Sequence, residues 1–371
     1  MNQGILKMNN SEYKTVSYSD YLALDKILDA QDLRSDELGK HAHDEMLFII
    51  IHQVYELWFK QISHELKSVM EMLGKPVFDD KEVAVAVSRL NRITEIQKIM
   101  IDQIRVLETM TPLDFLDFRN YLVPASGFQS FQFRVVEIML GLRREKRLTY
   151  NQSVYASVFP EDKQQVLETL ESQPSLYTMM ASWLERTPFL DIPDFDFKER
   201  YIAAAESMTK RELANIASAE DVAETGKSMR KRMAEQGFEY IKTSLDPEKH
   251  QEQLDSGNIG LSFRALLAAL MINAYRDEPI LRGPFNLLQK VVDLDELFTT
   301  WRYRHSQMVL RMLGKKMGTG GSSGHDYLTK TAERHHIYKD FHNISSLLIP
   351  RSELPELPAS VLSQLGFKYG G

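Results

Sequence analysis

Two histidines stand inside strongly apolar stretches of this 371-residue sequence. His52 lies in HAHDEMLFIIIHQVYELWFKQ, with Phe48 one turn before it and Glu56 one turn after, so helical spacing stacks the three on one face. His305 lies in DELFTTWRYRHSQMVLRML, with Trp301 four residues before it, Met308 three after and Val309 four after. A histidine on an apolar helix face has two ordinary uses. It is a core residue with its ring nitrogens hydrogen-bonded, or it directs a neutral imidazole lone pair into a dry pocket. The second is what a histidine-ligated haem requires, with the macrocycle packed against side chains such as Trp301. A separate set, His41, His43, Asp44, Glu45 and His52, has the chemistry of a non-haem metal cluster. Against it, the repeated Glu-x-x-His pairs of di-metal bundles and the HExxH motif are both missing.

Two more stretches carry chemistry. In LDFLDFRNYLVPASGFQSFQFR, Arg119 is flanked by Phe115, Phe118 and Tyr121. An arginine so placed either stacks structurally or grips a planar carboxylate in bidentate fashion. The PASG that follows breaks the helix and offers the Ser126 hydroxyl. Further on, GTGGSSG, residues 318 to 324, looks like a flexible spacer. It has neither the lysine nor the upstream strand of a phosphate-binding P-loop, and no dinucleotide fingerprint in a βαβ unit. What remains is a spacer, or a mobile loop whose amides and Thr319 hydroxyl close over a small zwitterion.

The elements that must position these residues are helices. Apolar residues recur at helical spacing nearly throughout, and strand-like alternation is scarce. The pattern predicts an all-α protein with helices at about 44–73, 80–109, 128–143, 160–185, 196–245, 260–276, 283–314 and 325–348. Pro112, Pro124, Pro160, Pro188, Pro193, Pro279 and Pro284 are expected between helices. Residues 194–257 are rich in charge and poor in large apolar side chains, which predicts an exposed helical excursion from one large domain spanning 1–371.

Composition narrows the function. With 45 Lys and Arg against 52 Asp and Glu, the net charge of -7 argues against general nucleic-acid binding. There is no cysteine, so any metal must be held by histidine or carboxylates. No signal-like or membrane-spanning apolar run appears, which makes the cytoplasm the expected location.

These stretches, with YSDYLALDKIL, WLERTPF and DEPI, run in collinear order from Tyr18 to Pro350 and resemble the tryptophan 2,3-dioxygenase family. The resemblance implies a helical bundle enclosing a haem b pocket, ferrous in its active form. It implies cleavage of the indole C2–C3 bond of L-tryptophan by O2 to N-formyl-L-kynurenine, the first step of the kynurenine pathway. In that likeness His305 is the axial iron ligand and His52 the distal histidine that hydrogen-bonds the indole N–H. Phe48 walls the indole pocket, Arg119 and Thr319 hold the substrate carboxylate, and Ser126 lies near a haem propionate. Residues 314–324 become a mobile active-site loop. Tyr18 and Tyr21 match aromatics that reach into a neighbouring subunit, which implies a homotetramer. Haem relatives acting on other aromatic amino acids share parts of the pattern. A non-haem di-metal bundle and a non-enzymatic helical scaffold are the competing readings from other classes.

Overall fold

The computed structural model describes residues 15–147, 155–191, 195–220, 223–314, 316 and 324–365. Its frame is three long helices: α1 (Glu45–Leu73), α2 (Asp80–Leu107) and, much later in the chain, the longest of them. Between α2 and that helix come α3 (Pro112–Arg119), α4 (Phe131–Leu140), α5 (Leu176–Glu185), α6 (Phe197–Ser218), α7 (Glu224–Ser244) and α8 (Phe263–Ala274). The long α9 (Pro279–Leu313) and the shorter α10 (Gly324–Arg334) follow. Every regular element among the described residues is helical.

The frame follows from a strict alternation of three- and four-residue steps. On α2, Val83, Ala86, Leu90, Ile93, Gln97, Met100, Ile104 and Leu107 form an unbroken buried seam. α9 packs along it, fixed by the Gln97 amide donating to the Leu294 carbonyl at 3.0 Å. The seam of α9 runs through Leu287, Val291, Leu294, Phe298, Trp301, His305, Met308 and Met312, and that of α1 through Phe48, His52, Tyr55, Phe59, Ile62, Leu66, Val69 and Leu73. His52 and His305 thus occupy positions where the repeat calls for an aliphatic side chain. A polar residue there weakens the packing unless it has another use. That exception locates the site.

Short polar signals set the ends. Asp79 accepts from Glu82 N at 2.9 Å to start α2. Thr111 and Asp114 cap α3 reciprocally, with Pro112 in the first turn where its missing N–H costs nothing. Gly141 ends α4 with φ +117, and a Cβ there would meet Tyr177 Cβ at 2.8 Å, so both backbone and space demand glycine.

The predicted helices exist, but several are shorter. The helix expected over 160–185 is two, Glu161–Glu171 and Leu176–Glu185, parted at Pro174. That expected over 196–245 is the antiparallel pair α6 and α7, and that over 325–348 breaks after Arg334. Pro284 departs from expectation in the opposite sense: it lies inside α9, early enough that only one intrahelical bond is lost. The charged excursion is a helix pair whose α6 face is anchored. Tyr201 donates to the Leu347 carbonyl at 2.8 Å and accepts from Ile349 N at 3.1 Å, while Met229 and Met233 of α7 are exposed.

Candidate active site

α1, α3, α4, α9 and α10 surround one apolar cavity that His52 and His305 both line. On the α1 side, the Phe48 ring lies 4.1 Å from the His52 ring, 5.6 Å from Phe115 and 5.5 Å from Phe118. Together they make an aromatic wall. Arg119, at the C-terminal end of α3, reaches the same cavity, as does Ser126 in the turn beyond. Ser126 Oγ accepts from Phe128 N at 3.4 Å, and the Gln129 amide oxygen accepts from Ser126 N at 3.2 Å, so the hydroxyl is held in place.

The histidines differ in how they are held. His52 Nδ1 lies 2.6 Å from the Phe48 carbonyl. A carbonyl only accepts, so Nδ1 carries the proton and Nε2 keeps its lone pair. The ring has accessible surface, but what it faces is the cavity, and burial lowers its pKa while the Phe48 bond works in the opposite sense. His305 stacks on Trp301, with ring centroids 5.6 Å apart and 12° between planes. Burial pushes its pKa down to about 4, with His52 across the cavity adding to the effect. Both imidazoles are neutral near pH 7, which is the ligating and hydrogen-bond-accepting form.

A second buried group at the cavity wall was invisible in the sequence. Glu137 is shared by Arg134 at 2.7 Å, Arg147 at 2.7 Å and Arg302 at 3.0 Å, with His335 4.0 Å away. Burial alone would raise the Glu137 carboxyl, but the three guanidinium charges hold it well below the usual carboxylate range. His335 is pushed down to about 4 by burial, with Glu137 pulling the other way. Only Arg134 and Glu137 stand at local helical spacing; Arg147, Arg302 and His335 reach the carboxylate from elsewhere in the chain, so the cluster as a whole is not announced by any motif. Tyr327 of α10, edge-on to Phe128 at 5.0 Å, and Met110 complete walls that sequence reasoning also missed.

The sign of the pH dependence follows from these shifts. His305 and His335 have folded-state pKa values below 6.5, so between pH 6.5 and 4 the unfolded chain binds protons that the folded chain does not. Their contribution is fully present above pH 6.5 and is lost as pH falls towards 4. From pH 6.5 to 5 each should remove about 2 kcal/mol. Glu137 adds to this only at lower pH, as its carboxylate protonates. Urea midpoints of the cofactor-free chain should therefore fall clearly from pH 7 to 5; equal midpoints would contradict the neutral burial of both histidines.

The structure unites Phe48, His52, Arg119, Ser126, Trp301 and His305 at one cavity. It does not bring Tyr18 and Tyr21 there: they sit on a short N-terminal helix, 76% and 77% exposed. Thr319 and most of the glycine loop lie outside the described residues. The metal cluster considered at residues 41–52 is ruled out by prior engagements. Glu45 is fully buried, accepting from Arg34 N at 3.0 Å and Ser35 N at 2.9 Å, and His41 pairs with Asp36 at 2.7 Å.

Comparison with known proteins agrees with this geometry. A family model described as tryptophan 2,3-dioxygenase matches residues 2–348. The chain belongs to that family. It is 47% identical to a tryptophan 2,3-dioxygenase of Alteromonas mediterranea over 350 residues, covering 94% of this chain and 97% of the relative. A Bdellovibrio bacteriovorus protein of the same name is 45% identical, covering 96% of this chain and all of the relative. One from Dictyostelium discoideum is 45% identical, covering 97% and 90%. The chain is accordingly an oxidoreductase that joins dioxygen to tryptophan. No helix among the described residues is long and apolar enough to cross a membrane.

Proposed function

We propose that the chain is a haem b enzyme, ferrous when active, that opens the indole of L-tryptophan between C2 and C3 with O2 to give N-formyl-L-kynurenine, the first step of tryptophan catabolism by the kynurenine pathway. The observation that carries this reading is the placement of two neutral seam histidines in one apolar cavity that also holds an arginine. The residues fit haem. His305 offers a neutral imidazole that would hold the haem iron, and Trp301 stacked beside it, with Met308 and Val309, would supply an apolar wall for the macrocycle. Ser126 and the arginine-rich end of the cavity suit its propionates. Bound there, ferrous haem would supply the centre that activates triplet dioxygen.

The chain's own residues do the positioning. Arg119 takes the amino-acid carboxylate, with Thr319 of the glycine loop as its partner. Phe48 and Phe115 form one aromatic wall against which the indole packs, with His52 beside it. His52 Nε2, fixed as an acceptor by the Nδ1–Phe48 bond, receives the indole N–H and sets which edge of the ring faces the oxygen. An indole N–H is a very weak acid, so His52 orients the substrate without having to remove its proton. His52→Ala should therefore lower kcat/KM by about 10- to 100-fold and keep measurable turnover. Complete loss of turnover with haem and substrate affinity unchanged would overturn the orienting role.

The assembly proposed is a homotetramer working in the cytoplasm, each chain acting as one helical domain with α6 and α7 as its excursion. Support comes from apolar side chains left exposed at seven-residue spacing on the long helices, Ile50 and Leu57 of α1 and Ile99 and Val106 of α2, together with exposed Tyr18 and Tyr21. In that assembly Tyr18 and Tyr21 close a neighbouring subunit's site; a solution mass of one 42.9 kDa chain would contradict it.

A further inference from the structure

We propose that Arg134, Arg302 and His335 form a buried carboxylate-binding subsite in the cavity, and that its ligand is a haem propionate; the inference rests on the haem assignment above. All three line the cavity and are almost wholly buried, at 8%, 4% and 2% exposure.

The hydrogen-bond inventory shows that the cluster is not self-sufficient. Glu137 Oε2 takes Arg134 and Arg147, and Oε1 takes Arg302, while the nearest His335 nitrogen stays 4.0 Å away, too far to share the carboxylate. Arg302 also donates to the His335 carbonyl at 3.3 Å. After these bonds, Arg134 Nε and both ring nitrogens of His335 are buried with no hydrogen-bond partner. Leaving such groups unsatisfied is costly, and the cost falls when an acceptor arrives.

Charge points the same way. Arg134 and Arg302 line the cavity with Glu137 as the one carboxylate among its lining residues, so this wall carries an excess of positive charge. A cluster built only for packing would match each buried cation with an anion. An anion entering from the cavity supplies the missing one, accepting the His335 N–H together with guanidinium donors. Position selects its source. Arg302 precedes His305 by three residues on α9, so neighbouring positions of one helix surface serve the metal and the anion. The substrate carboxylate is claimed by Arg119 on α3.

The test compares haemin with haemin dimethyl ester, whose two propionates carry no charge, binding to the full chain by Soret titration. The wild type should bind haemin at least about tenfold more tightly than the ester. His335→Leu and Arg134→Leu should each bring that ratio down several-fold while leaving ester affinity unchanged. Equal wild-type affinity for both porphyrins would overturn the subsite and leave the haem assignment standing; no binding of either would overturn the haem assignment itself. A wild-type preference that both variants retain would place the propionates elsewhere. Variants that weaken L-tryptophan while keeping the haemin-to-ester ratio would show that the cluster serves the substrate carboxylate instead. The wild-type comparison needs no substitution, so a variant that fails to fold does not remove the test.

Discussion

His305→Ala is expected to leave the purified protein with less than about a tenth of the wild-type haem, because on the proposed reading its imidazole would be the one strong directional contact that the apolar wall offers the iron. The surrounding seam, with Trp301 on one side and Met308 and Met312 on the other, supplies dispersion and exclusion of water but no second imidazole from α9. Removing the imidazole also opens a void at a core position, which costs stability in its own right. Added free imidazole separates the two effects. If ligation is the lost function, imidazole restores the Soret band; if the helix has collapsed, it does not. A variant with normal haem content and an unaltered Soret band would remove His305 from the iron.

Arg119→Leu should have the second largest effect, and a selective one. Two charge-assisted hydrogen bonds to a carboxylate in a desolvated cavity correspond to about 100-fold or more in affinity. KM for L-tryptophan should rise by about that factor, while binding of indole analogues lacking the carboxylate should change by less than about threefold. Arg119 stands at the last turn of α3, whose start is set by the Thr111 and Asp114 caps, so the helix is not expected to depend on the guanidinium. Equal losses for L-tryptophan and for the analogues would reject the clamp.

What could be read from the chain alone divides along physical lines. The helices were legible because burial imposes three- and four-residue steps over 28 residues of α2 and 35 of α9, and few other patterns survive that long. Their ends were less so. Pro284 reads as a breaker, yet near the start of a helix its missing donor costs one bond, and the packing of α9 on α2 overrides it. Pro174 was the break that mattered between Glu161 and Glu185. His52, His305 and Arg119 could be picked out because each is a polar residue in a locally apolar setting. Arg147 and His335 could not, because their neighbours in sequence are polar or charged; Glu137 does stand in an apolar run, but Arg134 one turn before it offers an ordinary helical ion pair, and only the fold brings Arg147 and His335 to it. Tyr18 and Tyr21 show the opposite limit: only the resemblance singles them out, and on this chain they lie on an exposed surface away from the cavity.

The central claim is that this cavity, loaded with ferrous haem, joins both atoms of O2 to L-tryptophan. The most direct measurement is to reconstitute the full chain with haemin, reduce it, supply O2 and L-tryptophan, and follow the product by absorbance and mass. The account predicts N-formyl-L-kynurenine, heavier than the substrate by two oxygen atoms, both from O2. Intact ferrous haem, bound L-tryptophan and no such product would contradict it.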